Sequence, residues 1–146
     1  MEEERDMTAE HLYPVRVFWE DTDAGGVVYH SNYLKFMERA RSEMIREAGI
    51  SQTAMAEECG AVIVVAGLSI DYRRPARLED ELTVRTRLVS LRRASCELAQ
   101  DIYRGDELLT TGRVRAACVN PETHRPVPFP EKLHAAMSSL LEQPAS

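Results

Sequence analysis

Apolar positions follow a strand period near the start of the chain, a helical period over a long stretch after it, and a strand period again over most of the remainder. Val15-Arg-Val-Phe-Trp, rich in β-branched and aromatic residues, predicts a first strand. From Ser31 to Ala48 the period turns helical: Tyr33, Met37, Ala40, Met44 and Ala48 recur at spacings of four, three, four and four, and Phe36 and Ile45 widen the stripe. Ser31 or Asn32 is suited to cap the start, and Gly49 stands where a terminating glycine is expected. Such a helix would run about 27 Å at 1.5 Å per residue, enough to cross a small domain. Ser51–Cys59 predicts a short second helix ended by Gly60.

The rest reads as strands. Val62–Val65 is a continuous apolar run; Leu68, Ile70 and Tyr72 then alternate until Pro75. Leu82, Val84 and Leu88 share one phase while Val89 and Leu91 fall on the other, which predicts a bulge near residue 88. Cys96, Leu98 and Ile102 share a face, Gly105-Asp106 supplies a tight hairpin turn, and Val114, Ala116 and Cys118 are in phase on the returning strand. Asn120-Pro121 breaks that strand, and Pro130 pre-sets a final helix over Glu131–Leu141. A lone long helix among antiparallel strands must bury its stripe against their sheet, so the expectation is one two-layer α+β domain. Its span is residues 13–141, with tails over 1–12 and 142–146.

The 146 residues are 44% hydrophobic and 29% charged, a globular balance. The longest apolar runs are strand-sized, and Met1-Glu-Glu-Glu-Arg-Asp begins no signal peptide, so the cytoplasm is the expected compartment. A net charge of −6 predicts no general attraction to nucleic acid. Arginine nevertheless outnumbers lysine sixteen to two, and seven arginines lie between Arg73 and Arg93. Either a specific anionic ligand or a bias in residue usage explains that. Cys59, Cys96 and Cys118 are odd in number, without a Cys-x-x-Cys pair, and read as buried reduced thiols rather than a metal site.

Chemistry concentrates in Glu20-Asp-Thr-Asp-Ala-Gly-Gly-Val-Val-Tyr-His-Ser-Asn-Tyr, between a strand and the first turn of the long helix. The N–H groups at a helix start favour anions and oxyanions, and Gly25 and Gly26 would let a ligand carbonyl approach the backbone. A carboxylate such as Asp23 could attack a carbonyl there or activate water, with the oxyanion met by those amides. Asp21 and Asp23 could equally be turn and capping residues, and His30 a packed histidine. A calcium loop counted from Asp21 has its glycine at Gly26 but Asn32 where a bidentate glutamate is required. No Gly-x-Ser-x-Gly, phosphate-cradling loop, dinucleotide fingerprint or His-Glu-x-x-His is present.

Trp19-Glu-Asp-Thr-Asp-Ala-Gly-Gly-Val-Val-Tyr-His-Ser-Asn-Tyr-Leu, Glu38-Arg-Ala-Arg and Tyr72-Arg-Arg-Pro-Ala-Arg-Leu-Glu-Asp closely resemble the hot-dog-fold acyl-CoA thioesterases of the 4-hydroxybenzoyl-CoA thioesterase family, in particular their Tol-Pal-associated branch. The resemblance runs from Tyr13 to Leu141. It implies an antiparallel sheet wrapped around one central helix and hydrolysis of short-chain or aromatic acyl-CoA esters without metal or organic cofactor. By resemblance Asp23 is the catalytic carboxylate, as nucleophile or general base. His30 orients substrate or water, and its backbone N–H polarises the thioester carbonyl. Trp19 stands where that branch carries tyrosine, so a hydroxyl role is lost there. Arg92-Arg93-Ala94-Ser95 matches a basic turn that contacts the nucleotide end of coenzyme A, guanidinium being suited to phosphate. Arg85 and Arg87 read as a solvated strand face, whereas Arg73, Arg74 and Arg77 are open between phosphate contact, subunit ion pairs and solubility. The resemblance further implies a homo-oligomer, a dimer or tetramer of hot dogs, with active sites at subunit interfaces. The competing expectations are an acyl-carrier or Tol-Pal envelope-complex binding protein with little or no turnover, and a hot-dog hydratase or dehydratase.

Overall fold

The computed structural model describes residues 10–141, so of the tails expected over 1–12 and 142–146 only residues 10–12 are described, and these belong to the first strand instead. Strand β1 (Glu10–Arg16) leads through a 3-10 turn (Trp19–Asp21) to helix α1 (His30–Glu47). A helical turn, α2 (Gln52–Ala54), continues as a π-turn (Met55–Cys59). Strands β2 (Val62–Tyr72), β3 (Glu81–Leu91), β4 (Ser95–Arg104) and β5 (Glu107–Val119) precede helix α3 (Glu131–Leu141). One five-stranded antiparallel sheet results, ordered β1-β3-β4-β5-β2.

The sheet packs on the apolar stripe of α1. Tyr33, Phe36, Met37 and Ala40 are buried with Leu82 and Val84 of β3, Leu98 and Ile102 of β4, and Leu109, Val114 and Cys118 of β5. Toward its C-terminus the stripe emerges, since Met44 and Ile45 are half-buried and Ala48 is exposed. Gly49 and Gly60 end their helical segments at φ +85° and +61°, and Ser51 caps α2 by accepting from the Ala54 N–H at 3.1 Å. The expected bulge is a register shift between Leu88 and Ser90, and Gly105-Asp106 joins β4 to β5 with Gly105 at φ +63°.

Several local features differ from the sequence reading. β1 starts at Glu10, earlier than Val15, and ends before Phe18 and Trp19; Trp19 opens the 3-10 turn and is 71% exposed. Pairing with β3 from Glu10↔Arg87 to Arg16↔Glu81 extends the strand, and Pro14 is tolerated because β1 is an edge. Neither Ser31 nor Asn32 caps α1, because Tyr29 takes the cap position without a side-chain bond. Cys96 and Cys118 are buried but Cys59 is exposed, and burial pushes the Cys96 thiol up to about 11. Strand β2 forms the other edge and leaves Val64, Val65, Leu68 and Tyr72 exposed.

One polar cluster inside this core is satisfied internally, whereas the buried Thr110 hydroxyl has no partner among the described residues. Gln100 is fully buried; its amide donates to the Met37 carbonyl and to Thr86 Oγ1, both at 3.0 Å, and its carbonyl accepts from Arg41 at 2.8 Å. Burial lowers the Arg41 pKa from the usual arginine value. Beside this network, Gly112 of β5 faces the end of the Met37 side chain, and a Cβ there would lie 2.7 Å from Met37 Cε and 3.3 Å from the backbone carbonyl oxygen of Gln100. Gly112→Ala should therefore destabilise the fold by about 1–3 kcal/mol through overpacking, read as a lower urea midpoint with an unchanged slope.

Candidate active site

The loop from Phe18 to Tyr29 carries two aspartates, which the structure treats oppositely. Asp21 is 6% exposed; its Oδ1 accepts from Asn32 Nδ2 at 2.8 Å, and its Oδ2 from the Phe18 N–H at 2.9 Å. The Asp21 carbonyl also takes the Tyr29 N–H at 3.1 Å. These bonds tie the loop to the first turn of α1 and engage both Asp21 oxygens within the protein.

Asp23 is exposed. Its backbone closes a tight turn, with the Gly26 N–H on the Asp23 carbonyl at 3.0 Å and the Asp23 N–H on the Val27 carbonyl at 2.9 Å. Gly26 adopts φ +80°, where a side chain would be strained. Asp23 Oδ1 accepts from the Gly25 N–H at 2.9 Å, while Oδ2 receives no bond from a described residue. Thr22 Oγ1 donates to the Trp19 carbonyl at 2.8 Å, so Trp19 flanks the loop from its exposed turn.

Asp23 shares a crevice of about 330 Å³ with Val27, Val28, Tyr29, His30, Tyr33, Tyr72, Arg73, Arg74 and Pro75. Helix starts leave their first N–H groups without intrahelical partners, and no described residue accepts from the N–H of His30 or Ser31. An acid with a free oxygen therefore shares a crevice with a helix start whose amides are unoccupied, as carbonyl chemistry requires. Tyr33 forms the inner wall; its hydroxyl accepts from the Ala76 N–H at 3.0 Å, and burial raises the phenol above the usual tyrosine range. A larger hollow, about 450 Å³, lies toward the other end of α1 beneath α3, lined by Met44, Ile45, Leu98, Phe129 and Leu133. It is larger, but it includes neither Asp23 nor the helix start.

Among the residues singled out from sequence, the structure brings Asp23 and His30 into one crevice with Gly25 and Gly26 in the adjoining turn. Arg92 and Arg93 instead occupy the β3–β4 turn, which the Arg92 N–H closes on the carbonyl of Ser95, the first residue of β4, at 2.7 Å, and none of the three lines that crevice. Arg85 is half-buried, its guanidinium 3.9 Å from the centre of the Tyr103 ring, and so is not a freely solvated charge. Arg73 and Arg74 do reach the crevice, where they pair with Asp71 and Glu107 at 3.2 Å each. The sequence pattern marks Tyr33 and Tyr72 only as a helix-stripe and a strand position. Their place in the crevice depends on folding β2 against the helix start, and no local motif marks it.

Residues 17–137 match the thioesterase-like superfamily. The acyl-CoA thioesterase YbgC of Haemophilus influenzae is 42% identical over 88% of this chain and 94% of its own length. The acyl-CoA thioester hydrolase YbgC of Escherichia coli O6:H1 is 43% identical over 84% and 92%. This chain belongs to the thioesterase-like superfamily. Among solved structures, a probable thioesterase from Bartonella henselae superimposes with a TM-score of 0.79 at 38% identity, covering 84% of this chain and all of that one. The sheet order and buried long helix are accordingly those of the hot-dog fold.

The Asp21 pin has a measurable consequence. Asp21→Ala would leave the buried Asn32 amide without its acceptor, costing about 1–3 kcal/mol, and would also free the part-buried Phe18 N–H. Differential scanning calorimetry should show a melting point several degrees below that of the parent.

Proposed function

We infer that this thioesterase hydrolyses acyl-CoA esters to the free acid and coenzyme A. The reading is carried by the exposed Asp23 carboxylate, which shares its crevice with a helix start whose amides are unoccupied. It is supported by the identity to acyl-CoA thioesterases over most of the chain.

In the proposed reaction the thioester carbonyl lies between Asp23 and the N–H of His30. Asp23 draws a proton from water as the oxygen adds to the carbonyl carbon, or adds itself to give an anhydride that water then opens. On either route the oxyanion is held by the helix-start N–H and its collapse breaks the carbon–sulfur bond. The departing thiolate takes up the proton that Asp23 drew from water or, where collapse forms the anhydride, the proton released by the water that opens it. His30 orients the substrate or the water. Gly25 and Gly26 keep the approach open, and Trp19 gives an apolar surface at its edge. Short-chain and aromatic acyl groups are the proposed substrates.

Coenzyme A brings phosphates, for which Arg92 and Arg93 with Ser95 are the proposed contacts. Because that turn does not line the crevice, we propose that a second copy supplies it in a dimer or tetramer. Support comes from β2, an edge strand with exposed Val64, Val65 and Leu68 available for pairing. A cytoplasmic location, and an acyl carrier protein or Tol-Pal components as partners, rest on the sequence resemblance.

Asp23→Asn should lower turnover of short-chain and aromatic acyl-CoAs by at least about a hundredfold with an unchanged circular dichroism spectrum. Retention of more than a tenth of the rate, on the order of what a bystander carboxylate would allow, would remove Asp23 from the chemistry. Replacing Arg92 and Arg93 together by alanine should raise KM for CoA esters and leave kcat nearly unchanged, with little effect on the matching pantetheine esters.

A further inference from the structure

His30 is exposed at the crevice, and among the described residues its imidazole has no hydrogen-bond partner. A histidine ring that orients a substrate must be held in one rotamer, and here only packing can do so. Tyr72 meets the imidazole edge-on with ring centroids 5.2 Å apart, closer than Tyr29 at 5.9 Å. The hydroxyl of the same tyrosine donates to the His30 carbonyl at 3.2 Å. One side chain therefore touches both the ring and the backbone of His30.

Tyr72 is itself braced. Its ring lies edge-on to Tyr33 at 5.3 Å, and Tyr33 is 3% exposed with its hydroxyl fixed by the Ala76 N–H. Rigidity thus passes from the core, through Tyr33 and Tyr72, to the exposed imidazole. We propose that Tyr72 is a positioning residue of this active site: its ring selects the imidazole rotamer of His30, and its hydroxyl anchors the first carbonyl of α1. The proposal rests on the reading of His30 given above.

The two contacts can be separated by substitution. Tyr72→Phe keeps the ring and deletes the hydroxyl, whereas Tyr72→Ile deletes both with a residue suited to a strand. On a short-chain acyl-CoA, Tyr72→Ile should lower kcat about tenfold with KM nearly unchanged, and Tyr72→Phe should retain most of the activity. In a His30→Ala background, Tyr72→Ile should cause no further loss. By NMR, the His30 ring protons in the parent and in Tyr72→Phe should be displaced from free-histidine values by the neighbouring ring, and Tyr72→Ile should lose that part of the displacement. An equal loss with and without His30, an effect on KM alone, or His30 resonances unchanged in Tyr72→Ile would each overturn the positioning role. If Tyr72→Ile does not fold, Tyr72→Leu replaces it under the same criteria. Full activity in His30→Ala alone would instead remove His30 from the mechanism, and this proposal with it.

Discussion

A buried carboxylate whose oxygens both accept hydrogen bonds holds the site together. Asp21 takes one bond from the Asn32 side chain and one from the Phe18 backbone, so the end of the β1 segment and the first turn of α1 are joined through a single group. A carboxylate out of water is tolerated only when so satisfied. Satisfied, it makes the loop rigid. Asp23, two residues on, is placed by that loop but keeps a free oxygen. The same residue type thus serves two opposite purposes in one short segment, and burial distinguishes them.

The second constraint comes from across the molecule. The loop leaving β2 places the Ala76 carbonyl on the Val28 N–H at 2.9 Å and the Ala76 N–H on the Tyr33 hydroxyl. Leu78 donates to the Gly26 carbonyl at 3.0 Å. The acid-bearing turn is therefore clamped by backbone from a distant segment, which gives it the precision that a free surface loop lacks.

What could be read in the sequence was what local periodicity and turn chemistry decide. The helical stripe, the phase change at residue 88, the Gly105 turn and the neighbourhood of Asp23 and His30 all belong to this class. What could not be read depends on contacts between distant segments. β1 begins early because Glu10 finds Arg87 across the sheet, and its first residues carry little strand signal of their own. Asn32 resembled a cap by composition, yet its amide turns inward to Asp21 and leaves the helix start open. Turn chemistry alone leaves both Asp21 and Asp23 open between turn and chemical roles, and only the family resemblance favours Asp23; the buried bond from the Asn32 side chain to Asp21 is invisible to either. Tyr72 is separated from His30 by 42 residues.

The strand order carries a cost during synthesis. β2 emerges from the ribosome well before β5, the strand it pairs with among the described residues. Until the last of the sheet is made, Val62–Val65 and Leu68 have no partner strand, so nascent chains have a sticky apolar segment ready to pair with each other. Contacts of such long sequence separation also slow the folding step itself. Expression of this chain should accordingly be sensitive to translation speed and chaperone supply, for reasons that lie in β2 and are unrelated to the chemistry of the crevice.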